Sequence, residues 1–136
     1  MPTITMNWWA IIVAALVYFA LGAIWYTPQV FGNAWMKGIG KTKEQLNTGF
    51  SKMSFVWALI FSFLAAYGIA RICVWAQRGT VWDGIVIGLL AGVCFVLTTF
   101  GINDTFERRP CQLTILNVLY HIIGFIIIGI IVGAWH

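Results

Sequence analysis

The chain has 136 residues, of which 61% are hydrophobic and only 9% are charged. Soluble domains average about a quarter charged residues, so this chain cannot cover a water-facing surface and is assigned to the membrane class. Its net charge of +4 comes from lysines and arginines beside apolar runs, which indicates membrane orientation rather than nucleic-acid binding. Cys73, Cys94 and Cys111 show no ligand or pairing pattern, so no disulfide framework, metal or other cofactor is expected.

The first predicted membrane span covers residues 6–26, an uncharged run that meets the length of about 20 residues needed to cross a bilayer. No lysine or arginine precedes it, and it is longer than a signal-peptide core of roughly 7–15 residues, so we expect a retained helix. Aromatic rings, which favour membrane interfaces, flank it at both ends: Trp8 and Trp9, then Trp25 and Tyr26.

The connection to the second span contains a helix-start pattern. Thr42 followed three residues later by Gln45 fits a capping box, in which each side chain bonds the other residue's backbone amide. The sequence therefore predicts a short amphipathic helix over residues 42–50 that lies at the membrane interface. A functional lid is the alternative hypothesis for this segment.

The second span covers residues 53–77, and small residues recur along it at every fourth position. Such a series forms a groove that lets a neighbouring helix approach closely. We expect helix packing at Ser54, Ala58, Ser62, Ala66 and Ala70.

The third and fourth spans cover residues 81–103 and 111–135 and carry glycines at the same four-residue spacing. A tight turn before the third span makes it an antiparallel neighbour of the second. The predicted fold class is therefore all-α: one polytopic membrane domain over residues 1–136, with four transmembrane helices in an antiparallel bundle. The glycines expected at helix contacts are Gly84, Gly88, Gly92, Gly129 and Gly133.

The distribution of positive charge predicts the orientation. Six of the eight cationic residues lie between spans one and two or between spans three and four: Lys37, Lys41, Lys43, Lys52, Arg108 and Arg109. Since cytoplasmic loops carry the excess of lysine and arginine, both of these loops are expected in the cytoplasm and both termini outside.

Two motifs resemble those of a bacterial membrane-protein family. One runs from Asn7-Trp8 through Gly22-Ala23-Ile24-Trp25-Tyr26-Thr27-Pro28 to Phe31-Gly32 and Ala34-Trp35-Met36-Lys37. The other comprises Phe106-Glu107-Arg108-Arg109-Pro110, Ile115-Leu116-Asn117, Tyr120-His121 and the closing segment from Gly129 to Trp135. The family is described only as a domain of unknown function. The resemblance implies a four-helix protein of the bacterial cytoplasmic membrane and supplies no activity.

Polar side chains concentrate on one face of the fourth span and at the end of the third. At 1.5 Å per residue, His121 lies roughly 16 Å deep, where it should face protein or water rather than lipid. A polar pocket open to the cytoplasm is one hypothesis, and hydrogen bonds that tie the helices together are the other. The candidate lining residues are Thr99, Asn103, Glu107, Arg108, Thr114, Asn117, Tyr120 and His121.

Two function classes are compatible with these patterns. The first is a packing module without catalytic activity, either a homo-oligomer or an accessory subunit of a membrane complex, because the chain offers many small-residue faces. The second is an oligomeric channel or carrier for a small solute, ion or lipid that uses the residues around Asn117 and His121. An enzyme is not expected, because the sequence has no nucleophile, phosphate-loop or metalloprotease motif. Membrane lipids are the expected surroundings in either class.

Overall fold

A computed structural model describes residues 3–49 and 51–136, and every regular element in these ranges is helical. In chain order the elements are α1 (Trp8–Trp25), α2 (Gly32–Ile39), α3 (Lys43–Thr48), α4 (Lys52–Ala76), α5 (Val81–Ala91), a π-helical segment (Gly92–Leu97), α6 (Thr98–Glu107) and α7 (Cys111–Ala134).

Four helices are long and apolar enough to cross a membrane, which confirms the predicted fold class. They are α1, α4, the continuous helix formed by α5, the π-helical segment and α6, and α7. Each turn reverses the chain direction, so α1 and α4 run against each other, as do α5 and α7. Asn7 starts α1 by accepting hydrogen bonds from the amides of Trp9 and Ala10.

Two short helices fill the connection between α1 and α4. The capping box predicted at the start of α3 is confirmed, since Thr42 and Gln45 bond each other's backbone amides at 2.9 and 3.3 Å. The predicted residue 50 lies outside the described residues. Helix α2 was not predicted, because the charged residues around it obscured its helical pattern. It ends at Gly40, whose positive φ of 70° suits glycine.

A glycine seam joins α5 to α7. A Cβ atom added at Gly84 would overlap the backbone of Gly129, and one added at Gly88 would overlap the backbone at Phe125. Gly133 approaches the carbonyl of Thr80 in the same way. The predicted small-residue packing of these two helices is therefore used inside one chain, where it brings their backbones into contact.

Helix α4 packs closely along only half of its length. Ser62, Ala66 and Ala70 of the predicted small-residue face are buried, and Ala66 and Ala70 belong to one core cluster with Ala10 and Ala14 of α1. By contrast, residues 51–61 are all exposed, including Ser54 and Ala58. The first part of α4 therefore stands away from the bundle on the side where the long connection lies.

The third span differs from its predicted form in two ways. It continues as a helix to Glu107, past the expected end at residue 103, because Asp104 is buried against α7 rather than placed in a polar loop. The π-helical segment also interrupts its α-helical geometry. One extra residue in a turn rotates all later side chains by about 100°, so Thr99 and Asn103 do not continue the glycine face.

Candidate functional site

A cavity of about 840 Å³ lies beside the exposed first part of α4. Its walls come from α1, α4, α7 and the third span, and Trp35, Leu46 and Asn47 border it on the side of the long connection. Along α4 the lining runs from Phe55 to Ala65, a rise of roughly 15 Å, or about half the thickness of a bilayer core. The cavity therefore reaches from one interface towards the membrane centre.

The cavity wall is apolar and rich in aromatic rings. Among the described residues, none that lines it is charged. Its volume lies within the range of roughly 300–1,000 Å³ that is typical of small-molecule sites. Half of its eighteen lining residues are aromatic: Tyr18, Phe19, Tyr26, Trp35, Phe55, Phe61, Phe100, Tyr120 and Phe125.

His121 is one of the polar side chains on this wall. Its Nδ1 forms a short hydrogen bond with the hydroxyl of Tyr18, which joins α7 to α1. The rings of Phe100 and Phe125 lie 5.5 and 6.4 Å from the imidazole, measured between centroids. Helices α1, α7 and the third span thus fix this imidazole from three directions.

Neighbouring polar groups on α7 form bonds to α1 as well. The Tyr26 hydroxyl donates to Oδ1 of Asn117 at 2.8 Å, and the Tyr120 hydroxyl donates to the carbonyl of Tyr18 at 3.1 Å. The structure therefore shows interhelical hydrogen bonds at Asn117, Tyr120 and His121, as the second sequence-based hypothesis expected. Tyr120 and His121 line the cavity in addition.

Six of the eight predicted pocket residues are outside the cavity lining. Thr114 donates to Oδ2 of the buried Asp104 at 2.6 Å, which ties α7 to α6. Glu107 pairs with Arg109 at 2.6 Å, and Arg108 ends α6 in a left-handed conformation with a φ of 56°. Glu107 and Arg108 therefore shape the turn between α6 and α7 and lie outside the cavity lining.

The other two predicted residues are on the third span. Thr99 donates to the carbonyl of Phe95 one turn earlier, and both Thr99 and Asn103 are exposed. They point away from His121 because the π-helical segment turns α6 relative to α5. Phe100 occupies the place beside the imidazole instead.

The sequence-based reasoning missed Tyr18, Tyr26 and Phe100 as members of this site. Tyr18 interrupts the apolar run of the first span with a hydroxyl, and a hydroxyl within a membrane needs a partner, so this residue carried a usable signal. Tyr26 was assigned to the interface by its aromatic character alone. Trp25, expected beside it at the interface, is buried against Phe31 at 4.5 Å between ring centroids.

No curated protein and no solved structure matches the chain. A family model described as "Protein of unknown function (DUF1761)" matches residues 9–133, a range that contains every lining residue of the cavity and the four spans except for Trp8 and Ala134 at their ends. The chain therefore belongs to the DUF1761 family.

Proposed function

We propose that this protein binds a neutral, mainly apolar molecule of the bilayer in the cavity beside α4, as a carrier or a binding protein for that molecule. The observation that carries the proposal is a cavity of about 840 Å³ at membrane depth, lined by aromatic rings and without a charged lining residue among those described. This develops the lipid-carrier alternative, and it requires no pore between subunits.

The chemistry of the wall favours a lipid-like ligand over an ion. Transferring an ion from water into an apolar site costs many kcal/mol unless charged or several polar groups surround it. Here the hydroxyls of Tyr26, Tyr120 and Ser62 already donate to oxygen acceptors within the protein. The wall therefore supplies contact area and little solvation for a charge.

Binding rather than catalysis is the activity we propose. His121 is hydrogen-bonded to a tyrosine hydroxyl and not to a carboxylate that would stabilise an imidazolium. The carboxylates of α6 are bonded elsewhere: Asp104 accepts from Thr114, and Glu107 accepts from Arg109. This arrangement supports a hydrogen-bonding role for the imidazole.

Filling the cavity tests the proposal. Ala23 lines the cavity on α1, whereas Ala20 is exposed on the same helix and outside the lining. We expect Ala23→Trp to lower the amount of lipid that copurifies with the protein at least severalfold, measured by native mass spectrometry, because the indole occupies the ligand volume. Ala20→Trp is the matched control and should leave lipid retention unchanged. Equal retention by both variants would refute the proposal.

A homo-oligomer or an accessory subunit is the second candidate. The glycine faces of α5 and α7 are used within the chain, but Ser54 and Ala58 of the α4 series are exposed. Of these two residues, Ala58 also lines the cavity, whereas Ser54 lies outside the lining and is available to a partner helix.

We further propose that the protein resides in the bacterial cytoplasmic membrane with both termini outside. The support is the lysine and arginine content of α2, α3 and the α6–α7 turn, all at the same end of the bundle. With the native cysteines replaced, a membrane-impermeant maleimide added to cells should label Thr3→Cys and spare Lys41→Cys. The reverse pattern would overturn this orientation.

A further inference from the structure

The ring nitrogen of His121 that does not bond Tyr18 has a specific chemical role. Nδ1 is engaged with the Tyr18 hydroxyl, and no described residue offers a hydrogen-bond partner to Nε2. Nε2 is also not among the buried atoms that lack a partner, so it is accessible from the cavity that His121 lines. A ligand in the cavity therefore meets this nitrogen.

The bond to Tyr18 fits either tautomer of His121, and the two differ in whether Nδ1 accepts or donates the hydrogen bond. A neutral imidazole has one donor and one acceptor nitrogen. If the Tyr18 hydroxyl donates, Nδ1 is the acceptor and the ring proton is on Nε2. The cavity then contains a fixed N–H donor at depth, held between the rings of Phe100 and Phe125.

An N–H donor at Nε2 of His121 restricts which ligands can occupy the cavity. A hydrocarbon chain against Nε2–H would leave a buried N–H without a partner, which costs free energy. A phospholipid presents its oxygens at the interface, whereas this donor is near the centre of the membrane. The ligand must therefore bring an acceptor oxygen into the apolar interior without a charge, and the surrounding rings favour a flat ring over a chain.

We propose that the cavity binds a membrane quinone, with a ring carbonyl accepting a hydrogen bond from Nε2 of His121 and the isoprenoid tail extending past α4 into the bilayer. This assignment rests on the proposed function, whose ligand it names. The exposed residues of the first part of α4 border the route by which the tail leaves the cavity.

Two probes that differ by the carbonyl oxygens test the assignment: 2-decyl-1,4-benzoquinone and decylbenzene. Quinone binding to the purified protein is followed by quenching of tryptophan fluorescence, since Trp35 lines the cavity, and decylbenzene is measured by competition. We expect the quinone to bind roughly two- to tenfold more tightly, the range for one net hydrogen bond. His121→Phe, which keeps an aromatic ring and removes the donor, should abolish this preference.

The control is Tyr67→Phe, which removes a phenol hydroxyl from a ring that stacks on Trp8 outside the cavity lining. It should preserve the preference for the quinone. Equal affinities of the two probes for the unmodified protein, or a preference retained by His121→Phe, would overturn the quinone assignment.

Spectroscopy on the unmodified protein decides the matter even if His121→Phe does not fold. The infrared carbonyl stretch of ¹³C-labelled quinone should shift to lower wavenumber on binding, and ¹⁵N chemical shifts should place the His121 proton on Nε2. An unshifted carbonyl band or a protonated Nδ1 contradicts the assignment. If a diacylglycerol binds and neither ring compound competes with it, the proposed function stands and the quinone is excluded. If no apolar probe binds, the proposed function itself fails.

Discussion

Asp104 shows how one residue can change the interpretation of a segment. Its side chain is only 7% exposed, accepts a bond from Thr114 at 2.6 Å, and lies 3.8 Å from Nε of Arg109. The backbone amide of Arg109 donates to its carbonyl at 2.9 Å. The sequence places Asp104 and its polar neighbours along the chain in the connection between the third and fourth spans. In the structure they form the ordered end of α6, because a buried carboxylate needs these partners.

Asp104 and Glu107 provide a matched pair of carboxylates for a test of this cluster. We expect Asp104→Ala to lower the free energy of unfolding by about 1–3 kcal/mol, because it removes a buried bond and leaves the Thr114 hydroxyl without its acceptor. Glu107 is 54% exposed and, among the described residues, forms an ion pair only with Arg109, so Glu107→Ala should cost less than about 1 kcal/mol. Unfolding of both variants in detergent, followed by circular dichroism, makes the comparison. Equal losses would contradict the structural role of Asp104.

The polar face of α7 could be predicted, but its partners could not. Spacings of three and four residues place Asn117, Tyr120 and His121 close together on a helix whatever the fold. Their partners Tyr26 and Tyr18 lie 91 to 103 residues away in sequence, so no local pattern links the two sets. Which hydroxyl meets the imidazole depends on how α1 and α7 cross.

The backbones of α5 and α7 approach each other closely enough that an added Cβ atom would overlap them. Glycine spacing in the sequence predicts that these helices pack tightly, and the structure shows Gly84 and Gly129 against each other. The π-helical segment that follows has no comparable signal, since Gly92–Leu97 is an apolar run like its neighbours. Its first residue, Gly92, lies against Ile122 of α7.

Adding one methyl group at Gly84 tests the contact between α5 and α7. Gly84→Ala should lower the free energy of unfolding by about 1–3 kcal/mol or more, because the new methyl meets rigid backbone rather than a flexible side chain. Gly68 in α4 has no atom within 4 Å of an added Cβ, so Gly68→Ala should leave stability unchanged or raise it by about 0.5–1 kcal/mol. Thermal unfolding in detergent separates the two variants. A destabilised Gly68→Ala with an unaffected Gly84→Ala would contradict this packing.

At the scale of the whole molecule, hydrophobic length predicts the four spans and their antiparallel order. Hydrophobic length does not predict the cavity. Residues 51–61 belong to the same apolar run as the buried end of α4, and nothing in their composition distinguishes them. The cavity exists because one half of α4 is buried against α1, whereas residues 51–61 of the other half are exposed and border it, with Phe55 reaching Phe19 of α1 at 6.2 Å between ring centroids.

The exposed half of the α4 groove gives a prediction about assembly. In a homo-oligomer that uses this groove, Ser54→Cys should form a disulfide-linked dimer in native membranes once the native cysteines are replaced. Leu64, which is 55% exposed on a different face of α4, provides the control, and Leu64→Cys should stay monomeric. Monomer alone in both samples would argue against assembly through this groove.

The hydrogen bond between Tyr18 and His121 has a consequence for biosynthesis. At a translation rate of about 5–20 residues per second, the 103 residues between them take roughly 5–20 seconds to synthesise. During that interval the Tyr18 hydroxyl cannot bond His121, and the cavity lacks the wall that α7 provides. On the proposed function, ligand loading would therefore follow the arrival of the last helix from the ribosome.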